Sequence, residues 1–242
     1  WIDQVTKFAD LHLKPPIGNP AAQKEMAELA CCLGYSLVAV GFHPRDRDEE
    51  VNRVKKTFLE AGLDLASRVD ISATSRTELL KELRALRRDF EIVAIECKSN
   101  EALSIAQRDS RVDVIYLDTA LSSRGLPLNR AGSSSIHLEI NMSTLTETRR
   151  LPEHVQIARI RKEIAKAKQN RFRIVISSGA DDLMYLRAPR DVAAVGMLLG
   201  LDREEALRSI SSIPISLVNK NRVKLGSRYA GENVRIIGIR DE

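Results

Sequence analysis

Four histidines and a set of carboxylates at the ends of apolar runs are the residues of this 242-residue chain with the types and spacing for catalysis. His12 lies in Ala9-Asp-Leu-His-Leu13, and His43 follows a β-branched run in Val40-Gly-Phe-His-Pro44. Asp70, Glu96 and Asp118 each end a further apolar run, and His137 opens Ile136-His-Leu-Glu-Ile-Asn141. Imidazoles and carboxylates converging from successive strand ends form the donor set of a metal-dependent hydrolase, whose ion activates water and polarises a phosphoryl oxygen. His154 begins a helix and reads as a surface residue.

A second set is cationic. Ser177, Ser178, Arg187 and Arg190 follow the strand pattern at 173–177, and the carboxyl rim of a parallel α/β sheet is where ligands bind. Two arginines three apart at a helix start project from one side, and a guanidinium holds a phosphate with two hydrogen bonds. Arg45 and Arg124 follow the second and fifth strands and are expected at the same mouth. Lys220, Arg222, Lys224 and Arg228 make a second basic cluster near the end. Arg84, Arg87 and Arg88 interleave with Glu78, Glu82 and Asp89, a pattern expected on a solvated helix face. Ser177-Ser178-Gly179 has two readings, a phosphate cradle of backbone N–H groups or a tight turn. Cys97, beside Lys98, reads as a buried, inert thiol. Gly-x-Ser-x-Gly, phosphate-loop and Gly-x-Gly-x-x-Gly patterns are absent, which sets aside the usual nucleophile-elbow and nucleotide-cradle chemistries.

The elements that must position these groups alternate along the chain. Strands are expected at 8–12, 36–41, 63–71, 92–96, 114–117, 135–141 and 173–177. Helices are expected from Asn19-Pro20 to 33, then at 48–61, 75–90, 100–108 and 153–170, the first two stopped by Gly34 and Gly62. A proline-led helix follows Arg187, and another starts near a Ser212 cap with Pro214 in its first turn. Regular βα alternation means a parallel sheet. The length and short, even strands favour closure into a TIM-barrel-like parallel barrel with about seven core strands and outer helices. One barrel domain over 1–228 and a tail over 229–242 are expected, with a candidate strand at 234–239. The least regular stretches are 121–134 and 141–152.

Hydrophobic residues make up 43% of the chain, enough for a continuous core, and the net charge of +5 suits a polyanion partner as well as a solvated surface. Aromatics at 4% argue against a base-stacking platform, so any nucleic acid would be held through its phosphates. No apolar run approaches the roughly 18 residues of a spanning helix, and no signal-peptide core is present. Cys31, Cys32 and Cys97 are an odd number without zinc spacing, pointing to the reducing cytoplasm.

Asp10-Leu-His12, Gly41-Phe-His43 and Leu138-Glu-Ile-Asn141 resemble motifs of the polymerase-and-histidinol-phosphatase (PHP) superfamily of phosphoesterases, which bind two or three metals at a barrel mouth. Here Lys14 stands where that pattern has its second histidine, and the turn Ser178-Gly-Ala-Asp181-Asp182 lacks the late one. An ammonium at that point would repel a divalent ion, so His12, His43 and Asp70 are expected as hydrogen-bonded remnants of a metal site, with Glu96 and Asp118 paired to rim arginines. The segments Ile176-Ser-Ser-Gly-Ala180, Leu186-Arg-Ala-Pro-Arg-Asp-Val192, Gly196-Met-Leu-Leu-Gly200 and Gly34–Val40 resemble the barrel-type protein subunit family of archaeal and eukaryotic ribonuclease P. That resemblance covers most of residues 8–225 and implies a PHP-type barrel that has lost its metals. It implies a subunit that supports the catalytic RNA as that RNA, with Mg²⁺, removes the 5′ leader of precursor tRNA. It implies no cofactor on this subunit and no membrane association. The implied partners are ribonuclease P RNA, precursor tRNA indirectly, a small ferredoxin-like protein subunit and other ribonuclease P proteins. The expected RNA contacts are Arg45, Arg124, Arg187, Arg190, Lys220 and Arg222. The competing reading is a PHP-type metal-dependent phosphoesterase.

Overall fold

A computed structural model describes residues 6–117, 128, 136–146, 152–226, 229–231 and 234–235. Seven parallel strands stand side by side in chain order: β1 (Phe8–Leu13), β2 (Tyr35–Gly41), β3 (Asp64–Ala73), β4 (Ile92–Cys97), β5 (Val114–Leu117), β6 (His137–Asn141) and β7 (Arg173–Ser177). Between them run α1 (Pro20–Cys32), α2 (Asp48–Glu60), α3 (Arg76–Leu86), α4 (Asn100–Ala106), the single turn α5 (Ser143–Thr146) and α6 (Glu153–Gln169). After β7 come a 3₁₀ turn (Leu183–Tyr185), α7 (Pro189–Leu198), α8 (Arg203–Ser209) and α9 (Ser212–Leu225). The fold is thus the expected TIM-barrel-like one, with seven strands curling into a nearly closed barrel.

The helix starts follow from local chemistry. Asn19, Ser75, Ser99 and Asp202 each accept a backbone N–H of the first turn, satisfying donors that have no partner within the helix. At α9 the cap is Ser211, one residue earlier than expected, and its side chain makes no capping bond. β3 runs two residues past the expected end, to Ala73, and α3 stops at Leu86. Of the strand expected at 234–239, Val234–Arg235 pairs antiparallel with Tyr229–Gly231, and the remainder lies outside the described residues, as does nearly all of 121–134. No helix among the described residues is long and apolar enough to cross a membrane.

Strand alternation divides the core in two. Val69, Ile71, Val93, Ile95, Leu138, Ile140, Ile174 and Ile176 face outward under α3, α4, α6, α7 and α8. At Gly196 a Cβ would come 2.7 Å from the Ile176 side chain, so glycine sets how closely α7 lies on β7. Ala9, Leu11, Leu37, Ala39, Ala66, Ile92, Ala94, Val114 and Val175 face the lumen, where Leu217 and Val218 of α9 pack against them. This helix closes the amino end of the barrel, leaving the carboxyl end as the mouth.

The seam between β1 and β7 is closed by other means than a full ladder. Leu13 and Ala180 form a single parallel bridge, with Lys14 N–H donating to the Ala180 carbonyl at 2.8 Å. The buried Asp10 carboxylate accepts the N–H of Ser178 at 3.1 Å and that of His12 at 3.0 Å. A side chain thereby supplies acceptors that the missing strand pairing would have provided. Burial pushes the Asp10 carboxyl above its ordinary value despite these donors.

Candidate functional site

The mouth is built from inward-facing residues of five strands. In β3, period-two alternation puts Ala66, Arg68 and Asp70 on the lumen face. β6 contributes Glu139 and Asn141, β5 Tyr116, and β7 Ser177. His12 arrives through a bulge: Asp10 pairs with Val38 and Leu13 with Val40, so three steps along β1 match two along β2. The extra residue turns both Leu11 and His12 inward.

Arg68 is the centre of this cluster and is fully buried. Its Nη1 donates to Glu139 Oε1 and to the Leu11 carbonyl, both at 2.7 Å. Nη2 donates to Glu139 Oε2 at 2.7 Å and Asp70 Oδ1 at 2.8 Å, and Nε reaches the Asp70 carboxylate at 3.1 Å. All five N–H groups of the guanidinium have acceptors, which is what makes a charge tolerable at this depth. The Tyr116 ring lies 5.6 Å from its Cζ, and Ser177 Oγ donates to Glu139 Oε1 at 2.6 Å. His12 Nδ1 sits 3.0 Å from Asn141 Oδ1, while Nε2, 3.7 Å from Asp70 Oδ2, makes no hydrogen bond with a described residue.

The electrostatics follow from this pairing. Burial alone would raise the Glu139 carboxyl, but the Arg68 guanidinium beside it holds it well below the usual carboxylate range. Asp70 is likewise lowered against its burial by Arg68. The two acids in turn keep Arg68 more firmly protonated than burial would allow.

The residues expected as metal remnants are only partly brought together. His12 and Asp70 meet at the mouth, but His43 turns outward on the loop after β2, where its Nδ1 accepts the Arg45 N–H and its own N–H donates to Asp46. The metals implied by the PHP resemblance do not fit this set. Both carboxylates that would ligate them are committed to a guanidinium that fills the space between them. Among the described residues no three His, Cys, Asp or Glu side chains are arranged to hold a metal ion.

The expected RNA contacts are distributed over several surfaces. Arg45 is exposed beyond β2, and its guanidinium has no hydrogen bond or ion pair to a described residue. Arg187 precedes α7, and its guanidinium donates to the Met184 and Leu186 carbonyls, tying down the 3₁₀ turn. Arg190 points elsewhere, into a groove with Phe8, Met197, Arg203 and Leu207, so the two arginines do not project side by side as their spacing suggested. The proline at the first position of α7 separates a pre-helical residue from a helical one. Lys220 is exposed on α9, at the amino end of the barrel. Arg222 is internally committed: Nη1 and Nη2 clasp Asp64 at 2.7 and 2.8 Å, and Nε donates to Glu91. It pins α9 beneath β3 and β4, a role that requires it to face inward. Arg124 lies outside the described residues, as do Arg228 and Asp118.

Other sequence readings resolve in the same way. Glu96 pairs with Lys98 at 3.1 Å and not with an arginine. Arg87 leaves the solvated face for a largely buried ion pair with Asp113 at 2.7 Å. Ser177-Ser178-Gly179 is a tight turn: Ser178 N–H goes to Asp10, Ala180 N–H to Ser178 Oγ, and Gly179 has φ +66°. Cys97 is buried, which pushes its thiol up to about 12. His154 is exposed as expected. Arg68 was missed by inspection of strand ends for His, Asp and Glu alone. The signal available was a cation inside Ala66-Ser-Arg-Val-Asp-Ile71, on the face shared with Asp70.

Fold and site together define a TIM-barrel-like protein whose mouth acids are neutralised from within by an arginine. The model of the family "RNase P subunit p30" matches residues 7–225. Ribonuclease P protein component 3 of Methanococcoides burtonii is 22% identical over 95% of this chain and 93% of its own length. Ribonuclease P protein subunit p30 of Mus musculus is 23% identical over 85% of this chain and 82% of its own. The fold matches a chain in the cryo-EM structure of archaeal ribonuclease P with mature tRNA at TM-score 0.79 and 16% identity, covering 97% of this chain and 99% of that one. This chain belongs to the RNase P subunit p30 family, and is thus a protein subunit of ribonuclease P, the tRNA-processing endoribonuclease.

Proposed function

We propose that this subunit performs no chemistry itself and supports the catalytic RNA of ribonuclease P during 5′-leader removal from precursor tRNA. The observation that carries this reading is the guanidinium of Arg68 saturating Asp70 and Glu139, the acids a phosphoesterase of this architecture would need for metal. On this reading the Mg²⁺ of the reaction belongs to the RNA, and the subunit binds no cofactor. It touches the RNA backbone through exposed cations, with Arg45 and Arg190 the strongest candidates because neither guanidinium has a partner among the described residues. Arg124, Arg187 and Lys220 are further candidates. A small ferredoxin-like subunit and the other ribonuclease P proteins complete its partners, and precursor tRNA is met indirectly. It works in the cytoplasm, where its three free thiols stay reduced.

The test is the salt dependence of affinity for ribonuclease P RNA, measured by filter binding. Each phosphate that is no longer neutralised should lower the slope of log K against log salt by about 0.7–0.9. Arg45→Ala and Arg190→Ala are expected to do so with stability within about 0.5 kcal/mol of the parent, as for open surface sites. Arg222→Ala should do the reverse, lowering stability while leaving the slope intact. Unchanged slopes for both Arg45→Ala and Arg190→Ala would remove these residues from the interface.

A further inference from the structure

We propose that the groove between α7, α8 and the start of β1 seats one unpaired nucleotide of RNA, with its base on the apolar floor and its phosphates on Arg190 and Arg203. This rests on the reading that the subunit binds ribonuclease P RNA, and adds which part of that RNA is taken and where. The groove encloses about 650 Å³, within the range of about 300–1,000 Å³ common for sites that hold a small molecule. Its lining residues are none of those that build the mouth. Along α7, Arg190, Ala193, Ala194 and Met197 stand at i, i+3, i+4 and i+7 and so share one face. Arg203 and Leu207 come from α8, one turn apart, and Phe8 and the Thr6 hydroxyl from the start of β1. Both charged residues of the lining are arginines, both are exposed, and neither guanidinium has a partner among the described residues. An anion is the complement of that charge. Phosphate alone does not account for the rest. The floor is apolar, from Phe8, Ala193, Met197 and Leu207, and Met197 is 48% exposed. A paired stretch of RNA keeps its bases stacked and offers phosphates and sugars, so it would meet the arginines and leave this floor to water. An unpaired nucleotide covers both, because its base hangs from the phosphate that Arg190 holds. One base needs few rings: Phe8 supplies one, and a guanidinium plane stacks on a base as well. The Thr6 hydroxyl both donates and accepts, so it suits the edge of any base. The groove therefore selects an unpaired base over a paired one, and not one base over another.

The experiment is base footprinting of ribonuclease P RNA by the full chain, with dimethyl sulfate and a carbodiimide so that all four bases report. The parent is expected to protect an unpaired base. Ala194→Leu, which crowds the groove, and Met197→Ser, which strips its floor, should each remove that protection. Both should weaken RNA binding about fivefold through lost apolar contact, with the slope of log K against log salt unchanged. Arg203→Ala should lower that slope by about 0.7–0.9, the change expected of Arg190→Ala. All three sites are exposed, so melting midpoints should stay within about 2 °C of the parent. The proposal is overturned if Ala194→Leu and Met197→Ser keep the parent's protection and affinity while Arg190→Ala still lowers the slope. Arg190 then meets a phosphate, and the groove holds no nucleotide. It is also overturned if those two variants bind RNA as the parent does but are captured less well by the other ribonuclease P proteins, which would make the groove a protein-binding site. Unchanged slopes for both Arg45→Ala and Arg190→Ala would overturn the underlying reading, and this proposal with it.

Discussion

Glu139→Gln isolates the interaction that holds the mouth together. The substitution keeps shape and volume but removes the charge facing Arg68. It also replaces one acceptor oxygen by an N–H₂ group directed at guanidinium N–H groups or at the Ser177 hydroxyl. Both residues are wholly buried, so no water is at hand to replace the lost acceptor. Removing one partner of a buried ion pair costs about 3–5 kcal/mol, and in a chain of this length each kcal/mol lowers the midpoint by about 2–4 °C. A fall on the order of 10 °C at pH 7 is therefore expected. In urea the midpoint should drop with the slope unchanged, because the surface exposed on unfolding is the same. The pH dependence gives an independent reading. Glu139 is held below its ordinary value of 4.5 by Arg68, so its stabilisation is complete above that value and is lost as pH falls through the lowered one. The gap between parent and variant should therefore be full at pH 7 and narrow below about pH 4. Equal stability of Glu139→Gln and the parent at pH 7 would refute the view that this pair organises the mouth.

Burial lowers His137 from 6.5 to about 4, so the unfolded chain takes up a proton in that window while the folded barrel does not. Stability should thus decline as pH falls from 6.5 towards 4, by about 3 kcal/mol in all, and His137→Phe should flatten that limb in urea titrations at stepped pH. Gly179→Ala forces a side chain onto φ +66° and brings its Cβ within 2.5 Å of Ser143 Oγ. A loss of about 1–3 kcal/mol is expected, with Ser143→Ala recovering part of it in the double variant, since that removes the clash but not the backbone strain.

Much of the barrel was legible in sequence because its elements are locally consistent. β-branched runs separated by Asn19-Pro20, Gly34 and Gly62 place the early strands and helices to within two residues. The centre of the site was harder to read for a physical reason. Arg68 becomes significant only once β3 is known to place it in the lumen with Asp70, and once the closed sheet brings Glu139, 71 positions away, to the same point. Arg222 shows the converse: a cation in a basic stretch of helix reads as surface, and only its meeting with Asp64, 158 positions distant, makes it a clamp. His43 lies two residues beyond its strand, where the loop geometry, invisible to spacing, decides whether an imidazole faces the mouth or the solvent. Arg187 and Arg190 diverge for a similar reason, since helical spacing applies only after the helix has begun.

The central claim, that the barrel supports an RNA catalyst and does no chemistry, is tested most directly by cleavage of precursor tRNA in a reconstituted holoenzyme. With ribonuclease P RNA, Mg²⁺ and the partner proteins, adding this chain should restore leader removal. Asp70→Asn protein that has folded should restore it with the same kcat, and the chain without RNA should cleave nothing even with Mn²⁺ or Zn²⁺ supplied. Phosphoester cleavage by the RNA-free chain, metal-dependent and abolished by His12→Ala, would contradict the account.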